Sequence, residues 1–135
     1  YYKYPQKRAG KVAAAIWPWK CKNALLRYND VVDTKLNQDG MAYDADSGDG
    51  TKYEYNYSRL NEGGCMMFCL QEAVHNTFEN NLSFDDLSGT MTPASNPDAL
   101  VKNNTFYVRD GVPFVRKRMH GKMTLKDNKI IKIEK

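Results

Sequence analysis

The sequence has no long apolar run, and that absence sets its first constraint. The longest, Val12 to Trp17, is six residues, about a third of the roughly 20 that a membrane-spanning helix needs, so no membrane span is expected. Histidine is nearly absent: His75 and His120 are the only two, and any two-histidine mechanism must use both. Cysteine is scarce, and Cys21, Cys65 and Cys69 show no doubled ligand spacing, so no metal cluster and no cofactor is implied. Cys65 and Cys69 would lie one helical turn apart, poor geometry for a disulfide, which leaves a bridge from Cys21 to one of them open. The first residue is Tyr1 and not Met, and localisation stays unread. No repeat, heptad or low-complexity tract stands out.

What the sequence does have is charge sorted into blocks. Residues 1–30 carry seven Lys/Arg against one acid, residues 31–101 three against twelve, and residues 102–135 ten against three, within an overall +4. Basic and acidic surfaces of this kind attract partners over a Debye length of roughly 8 Å. At 135 residues, 41% hydrophobic and 12% aromatic, the chain can bury one core, and a single soluble domain over 1–135 is expected. Its parts are a basic aromatic segment (1–20), a helical and acidic part (21–101) and a basic β-meander (102–135). Trp17 and Trp19, with Tyr1, Tyr2 and Tyr4, are too aromatic for a free tail and are expected to pack.

Periodicity predicts the elements. A short helix can start over Ala9 to Ile16 and must end before Pro18. Leu25, Val32 and Leu36 recur near helical spacing, predicting a helix over Asn23 to Leu36. A broad apolar face from Met66 to Phe78 predicts a second over Cys65 to Asn80. Between them, Tyr53, Tyr55 and Tyr57 alternate with polar residues, as in a strand with one aromatic face. The last third reads as four strands, Asn104 to Arg109, Pro113 to His120, Lys122 to Lys126 and Lys129 to Glu134. Turn residues separate them, Asp127-Asn128 marking a final hairpin. The expected fold is α+β, two main helices packed on a C-terminal antiparallel β-meander, in a cystatin-like or nuclear-transport-factor-2-like arrangement.

Four constellations carry candidate chemistry. On the meander, Arg116, Arg118 and His120 share one strand face, and Tyr107, Arg109, Lys122, Lys126 and Lys132 can join them in a basic surface suited to phosphate or base contacts. Cys65, after Gly63-Gly64 at a predicted helix start, is placed to have its thiolate stabilised by the helix dipole, with His120 as its base. That turn, helix-starting Cys and later His resemble the papain-like thiol hydrolases, and the resemblance implies a nucleophilic Cys65. It covers about six residues and lacks the family's Cys-Gly-x-Cys-Trp run. The loop Asp44-Ala45-Asp46-Ser47-Gly48-Asp49-Gly50 resembles a calcium loop, with Asp44, Asp46 and Asp49 as ligands, though its glycine is one place late. Sequons stand at Asn56, Asn81 and Asn103, but with twelve Asn in the chain they carry little weight.

The function these features favour is a small non-catalytic binding or interaction domain that engages a protein or polyanionic partner through its basic faces, with self-association one consequence. The alternatives are a papain-like thiol hydrolase using Cys65 and His120, and an RNA-binding or ribonuclease toxin domain using the basic sheet, nucleic acid being its partner.

Overall fold

The computed structural model describes residues 12–36, 38–70, 72–117 and 119–134. Among them there is no helix, and so none long and apolar enough to cross a membrane. The strands are β1 (Leu25–Arg27), β2 (Asp30–Val32), β3 (Tyr43–Asp46), β4 (Lys52–Glu54), β5 (Tyr57–Arg59), β6 (Met66–Cys69), β7 (Thr77–Glu79), β8 (Leu82–Phe84), β9 (Met91–Pro93), β10 (Ala99–Lys102), β11 (Thr105–Arg109), β12 (Met123–Lys126) and β13 (Lys129–Ile133). Each pairs in parallel with strands one circuit away. The sheets run β1-β4-β7-β10-β12, β2-β5-β8-β11-β13 and β3-β6-β9. The chain is a β-solenoid, in which each coil covers the last and buries a continuous interior.

One corner of the coil explains how this sequence makes it. Between the first and second sheets each coil bends at a residue in the left-handed region, Tyr28 (φ 59°), Tyr55 (55°), Asn80 (55°), Asn103 (54°) or Asp127 (53°). An asparagine follows every time: Asn29, Asn56, Asn81, Asn104 and Asn128. The Oδ1 of each later asparagine accepts the backbone N–H of the one a coil earlier at 2.8–3.1 Å and its side-chain amide at 2.9–3.2 Å. The Nδ2 groups of Asn56, Asn81, Asn104 and Asn128 also donate to the backbone carbonyls of Leu26, Tyr53, Phe78 and Val101. A side chain with two donors and a two-lone-pair acceptor thus satisfies a buried corner that no strand ladder can reach. Two sequons, Asn56 and Asn81, are buried rungs of this ladder.

Inside, Phe78 stacks on Phe106 at 6.4 Å between ring centroids, Tyr53 meets Phe78 tilted at 6.3 Å, and Phe114 meets Phe106 edge-on at 4.9 Å. Tyr53, Phe78 and Val101 occupy one column of the first sheet, Ser58, Ser83 and Phe106 one column of the second.

The α+β expectation is therefore wrong: both helices and the antiparallel meander are replaced by parallel strands. The predicted helix over Asn23 to Leu36 is β1 and β2, and that over Cys65 to Asn80 contains β6 and β7. Leu25, Val32 and Leu36, whose spacing suggested a helix face, are exposed. The corner is the cause: it resets the inward parity, so inward residues such as Leu26 and Val31, or Phe78 and Ser83, fall five apart and blur both periods. It also splits the tyrosine strand, burying Tyr53 while Tyr55 stays 52% exposed. Three meander strands are nearly where expected, but Asp127-Asn128 sends β13 into a different sheet from β12 instead of closing a hairpin. Among its described residues, Pro113 to His120 contributes the bridge of Val115 to Met91 and no named strand.

Candidate functional site

The sheet β3-β6-β9 turns a chemically distinct outer wall to its surroundings. Along β3, Tyr43 and Ala45 point into the core, so Asp44 and Asp46 point outward; β6 sets Met67 beside Asp44 and Cys69 beside Asp46. One coil earlier, Trp19 bridges to Asp46. Trp17 is 45% and Trp19 60% exposed, so these rings do not pack into the core as expected; Tyr1, Tyr2 and Tyr4 lie outside the described residues. Trp19, Lys20, Ser47, Leu70 and Glu72 line an open cleft of about 400 Å³ that starts beside Asp46.

A third carboxylate joins the wall from the loop ahead of β3. Asp39 precedes Gly40, whose N–H donates to Ala13 O at 3.0 Å. The next coil passes so close that a Cβ on Gly63 would stand 1.9 Å from Asp39 O. Gly63 thus lets the next coil pass close to Asp39, and Gly64 does the same for Gly89 one coil on, where the sequence suggested a helix start.

Asp39, Asp44 and Asp46 feel one another. Burial is the main cause raising all three carboxyls above the ordinary aspartate value; the charge of Asp39 adds to the rise at Asp46, and Asp46 and Asp39 both add to it at Asp44. Arg116 opposes the rise at Asp39. Nearby Cys69 has its thiol pushed up to about 11 by burial, then by Asp44 and Asp46. Asp44 is 4% exposed, whereas Asp39 and Asp46 are partly open, although Asp46 Oδ1, like Asp44 Oδ1, is buried without a hydrogen-bond partner.

The other candidates disperse. Cys65 is fully buried at no helix terminus, 3.1 Å from Ser58 Oγ, and burial drives its thiol pKa upward, the reverse of an activated thiolate. His120 is exposed, held by its backbone N–H to Ala94 O. The thiols of Cys21, Cys65 and Cys69 are all free. The basic residues share no face. Tyr107 packs on Phe84, Arg109 pairs with Asp85, Lys126 ends β12 in another sheet, Lys132 lies on β13, Lys122 donates its backbone N–H to Asn96 O and Arg116 faces Asp39. Arg118 lies outside the described residues. The calcium loop is undone because Asp44 and Asp46 sit on a strand while Asp49 bonds His75 Nδ1 at 3.0 Å; among the described residues no group of three ligands could hold a metal.

Asp39 and Trp19 were missed as site residues. Their signal was the coil period: the asparagine rungs recur at 27, 25, 23 and 24 residues, and the same step carries Trp19 to Asp46.

Comparison with known proteins places this wall in context. No family model matches the chain. It is 39% identical over 132 residues to a lacto-N-biosidase of Bifidobacterium longum subsp. longum, a match that takes in 94% of this chain and 8% of that protein. The crystal structures of the GH136 lacto-N-biosidase from Eubacterium ramulus, native and selenomethionine derivative, each superpose with a TM-score of 0.89 at 62% identity, over 98% of this chain and 22% of theirs. The chain thus spans about a fifth of the solved relative and less than a tenth of the curated one. These similarities overturn the reading of a non-catalytic polyanion-binding domain, and neither the papain-like nor the ribonuclease alternative fits a solenoid akin to glycoside hydrolases.

Proposed function

We propose that this chain carries the carboxylate pair of a glycoside hydrolase, Asp39 and Asp46, acting on lacto-N-biosyl linkages. Glycosidic cleavage needs one carboxylic acid to protonate the leaving oxygen and a second, ionised carboxylate to attack the anomeric carbon or activate water. The carrying observation is that two partly open, electrostatically coupled carboxylates share one outer wall, so that ionisation of one favours the proton on the other. Trp19, across the coil boundary from Asp46, offers a flat apolar surface for a sugar ring, and the cleft beside it gives that ring room. The names of the similar proteins supply the sugar.

The test is hydrolysis of an aryl lacto-N-bioside by Asp39→Asn and Asp46→Asn. Each is expected to lower kcat by roughly 10²–10⁴ with the unfolding midpoint held. Wild-type turnover in both variants would refute the assignment.

A further inference from the structure

Asp44 has no direct task in that scheme, yet it is the most constrained carboxyl of the wall. It lies on the same strand face as Asp46, enclosed at 4% exposure. Met67 stands beside it on β6, and Met67 packs with Ala14 and Met41, with Cys69 and Ala94 at the edge of that apolar cluster. From the core side, Tyr53 OH donates to the backbone carbonyl of Asp44 at 2.8 Å. Its carboxyl takes a hydrogen bond from the Ala45 N–H, but Oδ1 is buried with no hydrogen-bond partner.

Among the described residues, the charged groups that act on this carboxyl are the acids Asp46 and Asp39, with the Tyr53 and Cys69 side chains also feeling it, while Arg116 acts on Asp39. Cys69, alongside, is held as a neutral thiol first by burial and then by Asp44 and Asp46. An ionised carboxylate with a bare oxygen and no cation, in an apolar enclosure, costs several kcal/mol, and such groups neutralise instead. As an acid, Asp44 has an O–H to donate. From this geometry we propose that Asp44 is a positioning residue, a carboxylic acid kept protonated beneath Asp39 and Asp46, whose neutrality lets those two share one proton and one negative charge. Ionising it would set a second negative charge in the cluster and raise the proton affinity of both neighbours. Burial, then Asp46 and Asp39, pushes its carboxyl up to about 8, so the acid form persists through neutral pH.

The part concerning the reacting pair rests on the function proposed above, and two measurements separate the claims. The first needs no activity: carboxyl ¹³C NMR titration of the folded protein, with the Asp44 signal identified by its loss in Asp44→Asn. Asp44 is expected to titrate at least about two units above the ordinary aspartate value of about 3.9; titration at the ordinary value overturns the proposal. The second is the pH profile of aryl lacto-N-bioside hydrolysis. Asp44→Asn, neutral and of the same shape, should keep acid-side turnover within about threefold and shift the alkaline limb by about one unit, a change that a purely structural role would not produce. A profile that overlays the wild type overturns the positioning role. If Asp39→Asn and Asp46→Asn stay active, the glycosidase pair fails while the titration still decides the state of Asp44.

Discussion

Asp86 and Asp44 are both buried carboxyls of this solenoid, and they are treated in opposite ways. At Asp86, Oδ2 accepts from Ser58 Oγ at 2.5 Å and Ser83 Oγ at 2.6 Å, and Oδ1 accepts the backbone and side-chain N–H groups of Asn61 at 3.0 and 2.8 Å. Burial raises its pKa, but those four donors pull it back toward the charged form. Asp44 has the burial and, at Oδ1, no donor. Asp86 belongs to a corner of the coil, where polar groups replace missing strand bonds; Asp44 belongs to the wall that carries the reachable acids. A polar group fully satisfied from within the fold serves the fold, whereas one left short beside two open carboxylates is tuned for something outside it.

The contrast breaks most visibly if a satisfied rung is removed. Asn81→Ala takes away the acceptor of Asn56 N and Nδ2 and the donor to Tyr53 O and Glu79 O, all at a buried corner. Stranded buried groups cost about 1–3 kcal/mol each, so a loss of about 3 kcal/mol or more in denaturant-measured stability is expected. A loss below about 1 kcal/mol would mean that the ladder ornaments the corner and does not hold it.

The wall predicts the reverse. Because the folded-state carboxyl of Asp44 lies above its unfolded value, the native state holds the extra proton. Its contribution is complete below about pH 4 and declines as pH rises toward about 8. One proton gives a slope of up to about 1.4 kcal/mol per pH unit. Asp44→Asn should flatten the stability profile over that window, in unfolding curves taken at several pH values, and an unchanged slope would contradict a protonated Asp44.

How much of this was legible in the sequence follows from the same physics. Strand positions in the last third were readable because β11, β12 and β13 are local runs of β-branched and aromatic residues. Pairing was not, because a parallel partner lies a full coil away and the corner asparagines look like ordinary turn residues. The helices were misread because three-residue strands around a left-handed corner place inward residues five apart. Among the site residues, Asp44 and Asp46 were picked out for their spacing and assigned a metal, which a strand cannot wrap. Asp39 and Trp19 become visible only once the coil period aligns them. Cys65 misled because Gly63-Gly64 serves the close approach of two coils and starts no helix.

The smallest effect expected lies one residue from Asp86. Asp85 is buried too, at 7% exposure, but it is met by Arg109 in a two-pronged pair, Nε to Oδ1 at 2.9 Å and Nη2 to Oδ2 at 2.5 Å, with the guanidinium partly in water. The guanidinium is partly in water and Asp85 is largely buried, so removing Arg109 leaves one carboxylate that water reaches only through the space vacated, and salt screens the pair only in part. Arg109→Ala, which leaves one group unpaired where Asn81→Ala strands several, should therefore lower the unfolding midpoint less than Asn81→Ala does, and raising the ionic strength should narrow the difference from wild type. A salt-independent loss as large as that of the ladder variant would mean that the Asp85 side of this corner belongs with its buried polar frame, and the boundary drawn here between satisfied interior and solvated surface would have to move outward by one residue.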